Sequence, residues 1–163
     1  MADRSVSVWR EKRERYAPRA TELPAEMKLA MLPFFPARLL EEIRFVQLRG
    51  DSIEFPKAKP REPADFPFWE HAHGHLFLDV LVMNRRLTER QLFHSLVHAM
   101  QMRRLGPERY VQTYLRALAR TESRLGVPFE IQAFNLEARY ATAPGEGFAV
   151  EDQVEMWVRK KLY

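Results

Sequence analysis

Residues 88–106 read TERQLFHSLVHAMQMRRLG and carry several signals of one long amphipathic helix. Thr88 and Gln91 match a capping box, in which both side chains bond free backbone N–H groups at a helix start. Gly106 favours the left-handed backbone that ends many helices. We therefore predict a helix between Thr88 and Gly106, and its apolar residues recur at helical spacing: Leu92, Phe93, Leu96, Val97, Met100 and Leu105.

Prolines and glycines divide the rest of the carboxyl half into further helices. Pro107 and Pro128 are each followed by apolar residues at helical spacing, and proline is favoured at the first position of a helix. A loop around Pro144, Gly145 and Gly147 then precedes a helical pattern over residues 150–160. These features predict three helices after the one that ends at Gly106.

The amino-terminal half carries shorter elements. Pro24 and Pro36 are each placed to open a short helix. Residues 44–48 alternate polar and apolar side chains, and residues 76–83 (LFLDVLVM) are rich in large apolar and β-branched side chains, so both predict strands. Between them, residues 51–69 contain four prolines and predict an extended loop. The predicted fold class is α+β, mostly helical, with a small antiparallel sheet.

Composition limits the kind of protein. The chain has 163 residues, of which 46% are hydrophobic and 12% aromatic, so it can bury a core of one domain. It has no cysteine, which excludes disulfides and leaves only nitrogen and oxygen ligands for any metal. It also lacks an apolar run long enough for a transmembrane helix. We expect no membrane partner and a cytoplasmic location.

Charge is unevenly distributed along the chain. There are 26 basic and 22 acidic residues, a net charge of +4. Six of the basic residues lie in the first twenty. We therefore predict a basic, flexible arm over residues 1–22 and a single domain over residues 23–163. Because so small an excess is weak evidence for nucleic-acid binding, we do not expect a nucleic-acid partner.

The five histidines all lie between His71 and His98. His94 and His98 are four residues apart on the predicted helix, so their imidazoles share one face and can meet one metal ion. Zinc prefers such nitrogen ligands, and a catalytic zinc has three protein ligands. Glu130, in the first turn of the helix opened by Pro128, is the best placed third ligand. Glu137, on the same face of that helix, is the alternative.

A second histidine cluster precedes the predicted strand over residues 76–83. His71, His73 and His75 alternate in the sequence HAHGH, so all three side chains share one face of an extended segment. This spacing suits a metal site, but it also suits a solvated loop that leads into a strand.

The residues 92–106 (LFHSLVHAMQMRRLG), together with residues 128–140 (PFEIQAFNLEARY), resemble the minimal zincin-type metallopeptidase domains of bacteria. Those domains carry HExxH, then a glutamine and a Leu-Gly stop, and a later helix that begins with proline, a bulky residue and glutamate. The resemblance covers about residues 70–142. It implies a zincin-like fold with His94 and His98 as zinc ligands and Glu130 as the third.

The chain departs from that pattern at one position. The glutamate that follows the first histidine of HExxH is replaced by Ser95. In HExxH peptidases this glutamate moves the proton between water and the leaving amine, and a serine hydroxyl is not a base near neutral pH. The sequence therefore predicts a zinc-binding, metallopeptidase-like protein without standard peptidase activity, a pseudoenzyme that could still bind a peptide or protein. The alternative is a non-enzymatic protein-interaction module on a degenerate peptidase fold.

Overall fold

A computed structural model describes residues 2–49, 53 and 74–163. Short 3₁₀ helices cover Ala17–Arg19 and Arg124–Gly126. The fold class is α+β, as predicted, and the predicted loop over residues 51–69 lies outside the described residues apart from Ile53. The main elements follow in chain order: α1 (Ala2–Tyr16), β1 (Thr21–Glu22), α2 (Ala25–Met31), α3 (Ala37–Glu42), β2 (Arg44–Gln47), β3 (Gly74–Phe77), β4 (Val80–Met83), α4 (Glu89–Leu105), α5 (Pro107–Thr121), α6 (Pro128–Thr142) and α7 (Val150–Arg159).

Helix α4 has the ends that its sequence predicts. The Thr88 hydroxyl accepts the N–H of Gln91, and the Gln91 side chain accepts the N–H of Thr88. Gly106 ends the helix at φ 81°, a backbone conformation that costs a residue with a Cβ free energy. Pro107 then begins α5 and Pro128 begins α6. Both predicted helix starts are confirmed.

Helix α4 lies at the centre of the core. It packs against α5, α6 and α7, and its apolar face is buried over Leu92, Phe93, Leu96, Val97 and Met100. Because other helices pack around α4, its polar residues His98 and Gln101 are buried as well. Among the helices of the described residues, none combines the length and the apolar character that crossing a bilayer requires.

The sheet is mixed rather than antiparallel. Its strand order is β1-β2-β4-β3, and β2 pairs with β4 in parallel, with Phe45 opposite Leu81. The other two pairings are antiparallel. A parallel pair needs a long connection between its strands, and the chain between Gln47 and Val80 supplies one that contains β3. The predicted antiparallel sheet is therefore wrong at its central pairing.

The predicted strand over residues 76–83 is also wrong, because the segment forms a hairpin. Strands β3 and β4 pair antiparallel, with Leu76 opposite Leu81. The chain reverses at Leu78 and Asp79, where Leu78 adopts φ 60°. A leucine with positive φ is uncommon, so the turn has no signature in the residue types. Strand β4 is buried along its whole length.

The segment predicted as a flexible arm folds as a helix against the core. In α1, Val6, Trp9 and Tyr16 are buried, because their spacings of three and seven place them on one helical face. The Arg13 guanidinium donates two hydrogen bonds to the Asp79 carboxylate in the β3–β4 turn, at 2.8 and 2.9 Å. Arg10 and Arg15 are exposed on this packed helix, whereas Lys12 is buried.

Candidate metal centre

Helix α4 presents both predicted histidine ligands to the interior. His94 and His98 lie on one face, with ring centroids 4.8 Å apart. Their Nε2 atoms are 3.1 Å apart. The side chain of His98 is 10% exposed and that of His94 is 14% exposed. The two Nε2 atoms therefore converge in a nearly closed space, as a shared ligand requires.

Helix α6 brings Glu130 to the same point. Its Oε2 lies 3.1 Å from His94 Nε2 and 3.4 Å from His98 Nε2, and its side chain is 1% exposed. Glu130 occupies the first turn of α6, where the helix dipole favours a carboxylate. Within the described part of the chain, His94, His98 and Glu130 form a group that could hold a metal ion.

In each imidazole, the hydrogen-bond partner of Nδ1 determines the tautomer. It therefore decides whether Nε2 presents a free lone pair to Glu130. His94 Nδ1 lies 2.9 Å from Glu137 Oε2, and a carboxylate only accepts, so Nδ1 carries the proton. His98 Nδ1 lies 2.9 Å from Gln101 Oε1 and 3.0 Å from the Tyr110 hydroxyl. The Gln101 amide nitrogen donates to the Phe129 carbonyl and to Gln132, so its oxygen faces His98. Both neutral imidazoles therefore direct an Nε2 lone pair at Glu130.

Three acceptors that converge in this way need a positive species among them. One solution is a proton on His94. Burial disfavours the charged imidazole, but Glu130 and Glu137 outweigh burial and raise the pKa of His94. Burial lowers the pKa of His98, so His98 stays neutral. The other solution is a metal cation, which all three acceptors could bind at once.

The spacing of the three atoms fits a zinc ion. A tetrahedral ion with bonds of about 2.0–2.1 Å separates its ligand atoms by about 3.3–3.4 Å. The separations here are 3.1, 3.1 and 3.4 Å. Each imidazole also has a hydrogen-bond partner at Nδ1, which is the usual arrangement around metal-bound histidines. The three ligand atoms, and the hydrogen bonds that orient the two imidazoles, thus fit a divalent cation with little rearrangement.

The far oxygen of Glu130 is held by two side chains that sequence reasoning missed. The Tyr114 hydroxyl donates to Oε1 at 2.6 Å, and Arg124 donates to Oε1 at 2.6 and 3.0 Å. Only Oε2 is left for a ligand. Together with the histidines, Arg124 holds the pKa of the Glu130 carboxyl below its ordinary value although burial raises it. Tyr114 belongs to the apolar face of α5, and Arg124 precedes α6. The sequence around each residue therefore gives no indication that it contacts Glu130.

Glu137 and Ser95 have other partners. Glu137 binds His94 Nδ1 and pairs with Arg90, so it supports a ligand and Glu130 is the better third ligand. The Ser95 hydroxyl donates to the Gln91 carbonyl of its own helix at 2.9 Å. Neither side chain is placed as the missing general base.

A cavity of about 40 Å³ adjoins the three residues. Its walls include Trp9 from α1, His75 from β3, and Tyr110 and Tyr114 from α5. The Trp9 indole N–H donates to His75 Nε2 at 2.7 Å, and the two rings are stacked. Burial lowers the pKa of His75 well below its ordinary value. His75 therefore lies beside the centre as a neutral ring.

The other two members of the second histidine cluster, His71 and His73, lie outside the described residues. Trp9 was missed because the amino terminus was predicted to be a flexible arm. Its burial could have been found from the helical spacing of Val6, Trp9 and Tyr16.

Comparisons of the chain with known protein families, with curated proteins and with solved structures found no match. The resemblance to zincin-type metallopeptidases stays a prediction.

Proposed function

We propose that this chain is a zinc-binding, metallopeptidase-like protein that lacks standard peptidase activity. The observation that carries the proposal is the convergence of two imidazole Nε2 atoms and one carboxylate oxygen, 3.1–3.4 Å apart, in a buried space. His94, His98 and Glu130 would hold the ion. Zinc suits this donor set best, although nickel, iron and manganese accept the same ligands. A zinc ion supplies a Lewis acid with one exchangeable position.

Two features support the absence of ordinary peptide hydrolysis. Ser95 stands where HExxH peptidases carry their base, and its hydroxyl is bonded to a backbone carbonyl. The adjoining cavity of about 40 Å³ is far below the ~300–1,000 Å³ of pockets that enclose drug-sized ligands. Among the described residues, no side chain is placed as a base beside His94 and His98, and this cavity has no room for a peptide backbone.

The proposal is tested by titrating the untagged chain with zinc after chelator treatment. We expect one ion bound per chain, loss of binding in His94→Ala, and weak binding in Glu130→Gln. The matched control is Ser95→Ala, which alters the same face of α4 without touching a ligand atom and should leave zinc affinity unchanged. Peptide hydrolysis should stay undetectable in all four proteins.

The second candidate is a non-enzymatic interaction module whose histidines hold a proton in place of a metal. The raised pKa of His94 between Glu130 and Glu137 favours it. So does the apolar surface beside the centre, where the half-exposed Phe134 ring lies 4.6 Å from the His94 ring. If the histidines hold a proton in place of a metal, neither a chelator nor added zinc should change the midpoint of thermal unfolding.

A further inference from the structure

In the described part of the chain, each of the two carboxylates around the candidate metal centre is already paired with an arginine. Glu130 pairs with Arg124, and Glu137 pairs with Arg90. Metal-binding histidines are neutral. Among the cavity-lining side chains, His75 is also a neutral ring because it is buried. A divalent ion would therefore add two positive charges that the described side chains around it do not balance.

An unbalanced charge in a buried site is costly. The fourth position of a three-ligand centre can hold a non-protein ligand, and an anion there would cancel part of the charge. The cavity of about 40 Å³ leaves room for only a few atoms in such a ligand. Charge and volume thus select the same class of ligand, a small anion.

Trp9 forms the wall of this cavity on the side of helix α1. Its indole is 6% exposed and stacks on His75 at 5.4 Å. It also lies 6.3 Å from the Tyr110 ring and 6.2 Å from the Tyr114 ring. Arg10 and Glu14 of the same helix are exposed, so on the side of α1 the buried Trp9 indole forms the cavity wall.

We propose that the centre binds small anions and that Trp9 is the residue that excludes larger ones. This inference rests on the proposed function, because it requires a metal ion on His94, His98 and Glu130. It adds a ligand class, anions of a few atoms such as formate or azide, and it assigns the size limit to one side chain. Shortening the Trp9 side chain should allow larger anions to bind, while the residues that hold the metal stay the same.

The test uses the full chain loaded with cobalt(II), whose visible absorption reports ligand exchange at the metal. Formate and benzoate bind through the same carboxylate and differ by a phenyl ring. In the unaltered chain we expect formate to bind at least about 10-fold more tightly than benzoate, a difference of ~1.4 kcal/mol. Trp9→Ala should reduce this ratio to near one. Trp157→Ala, which removes a half-buried indole from α7 away from the cavity, should preserve it.

Several results would overturn the inference. Equal affinities for the two anions in the unaltered chain would do so, as would no binding of either anion, or a ratio that Trp9→Ala leaves unchanged. If Trp9→Ala does not fold, Trp9→Phe should lower the ratio in the same direction, and an unchanged ratio there counts against the inference. Failure of cobalt to bind at all is a separate result, which would refute the metal centre itself before any anion is added.

Discussion

The nitrogen that each histidine offers to the centre is set by the partner of its other nitrogen. Gln101 binds His98 Nδ1 through Oε1, and its amide nitrogen is held by Gln132 and the Phe129 carbonyl. Gln101 is 1% exposed, so water cannot replace these bonds. The Gln101 oxygen accepts the His98 Nδ1 proton, and the Tyr110 hydroxyl lies 3.0 Å from the same nitrogen, so Nε2 is free of a proton and available to a cation.

At the scale of this residue we predict that Gln101→Leu weakens zinc binding by about 10- to 100-fold, the usual cost of losing a hydrogen-bond partner of a metal-bound histidine. The leucine side chain keeps a similar size but cannot accept the His98 Nδ1 proton, which leaves that nitrogen with the Tyr110 hydroxyl, 3.0 Å away. Competition with a chelator of known affinity measures the change. Gln47→Leu, an exposed substitution in β2, is the matched control, and equal effects of the two variants would argue against a positioning role.

The end of α4 depends on one glycine. Gly106 has φ 81°, and an added Cβ would meet no atom within 4 Å. Space is therefore no obstacle, and only backbone strain opposes a larger residue. We predict that Gly106→Ala lowers the free energy of unfolding by about 1 kcal/mol, measured by urea denaturation. Gly145→Ala also has open space but no positive φ, so it should cost nothing. A similar loss of unfolding free energy in both variants would show that the positive φ of Gly106 is not its cause.

At the scale of elements, the Arg13–Asp79 pair attaches α1 to the β3–β4 turn. The hydrogen bonds and charge of Arg13 lower the pKa of Asp79 below its ordinary value of 3.8. A carboxyl with a lowered folded pKa stabilises the protein above its unfolded pKa, and this stabilisation is lost as the pH falls through the folded pKa. Both side chains are about one-third exposed, so the contribution is small.

We therefore predict that Asp79→Asn lowers the free energy of unfolding by about 0.5–1 kcal/mol at neutral pH. The difference from the unaltered protein should disappear in acid, below the folded pKa of Asp79. Denaturant unfolding of both proteins across that pH range measures it. Glu11→Gln, an exposed change on α1, is the control. A difference that persists in strong acid would show that charge is not its origin.

Elements with local signals were predictable from the sequence. The capping box of Thr88 and Gln91, the stop at Gly106 and the start at Pro128 each depend on residues close in the chain, and all three are present. The hairpin turn at Leu78 and the parallel pairing of β2 with β4 depend on tertiary packing. No residue type in those segments indicates either feature.

The same difference between local signals and tertiary packing applies to the residues of the candidate site. His94 and His98 share a face by helical periodicity alone, and Glu130 follows from its place after Pro128. Arg124 and Tyr114 reach Glu130 from outside α6, and Trp9 reaches the cavity from the amino terminus. The contacts of Tyr114 and Arg124 with Glu130 form only in the folded molecule, whereas the helical spacing of Trp9 indicates its burial but not what it contacts.

At the scale of the whole molecule, a bound ion would join α4 to α6 through residues far apart in the chain. An ion that binds only the folded state stabilises it by mass action. We predict that free zinc at 100 times its dissociation constant raises the free energy of unfolding by about 2.7 kcal/mol, seen as a higher midpoint in thermal unfolding. His94→Ala should show no rise. An equal rise in that variant would place the ion elsewhere.

The most direct measurement is an anomalous difference map at the zinc absorption edge, from crystals of the untagged chain grown with zinc. The metal-centre account predicts one peak within bonding distance of His94 Nε2, His98 Nε2 and Glu130 Oε2. A map without a peak there, with the two imidazoles and the carboxylate still in direct contact at about 3 Å as in a hydrogen-bonded group, would contradict it.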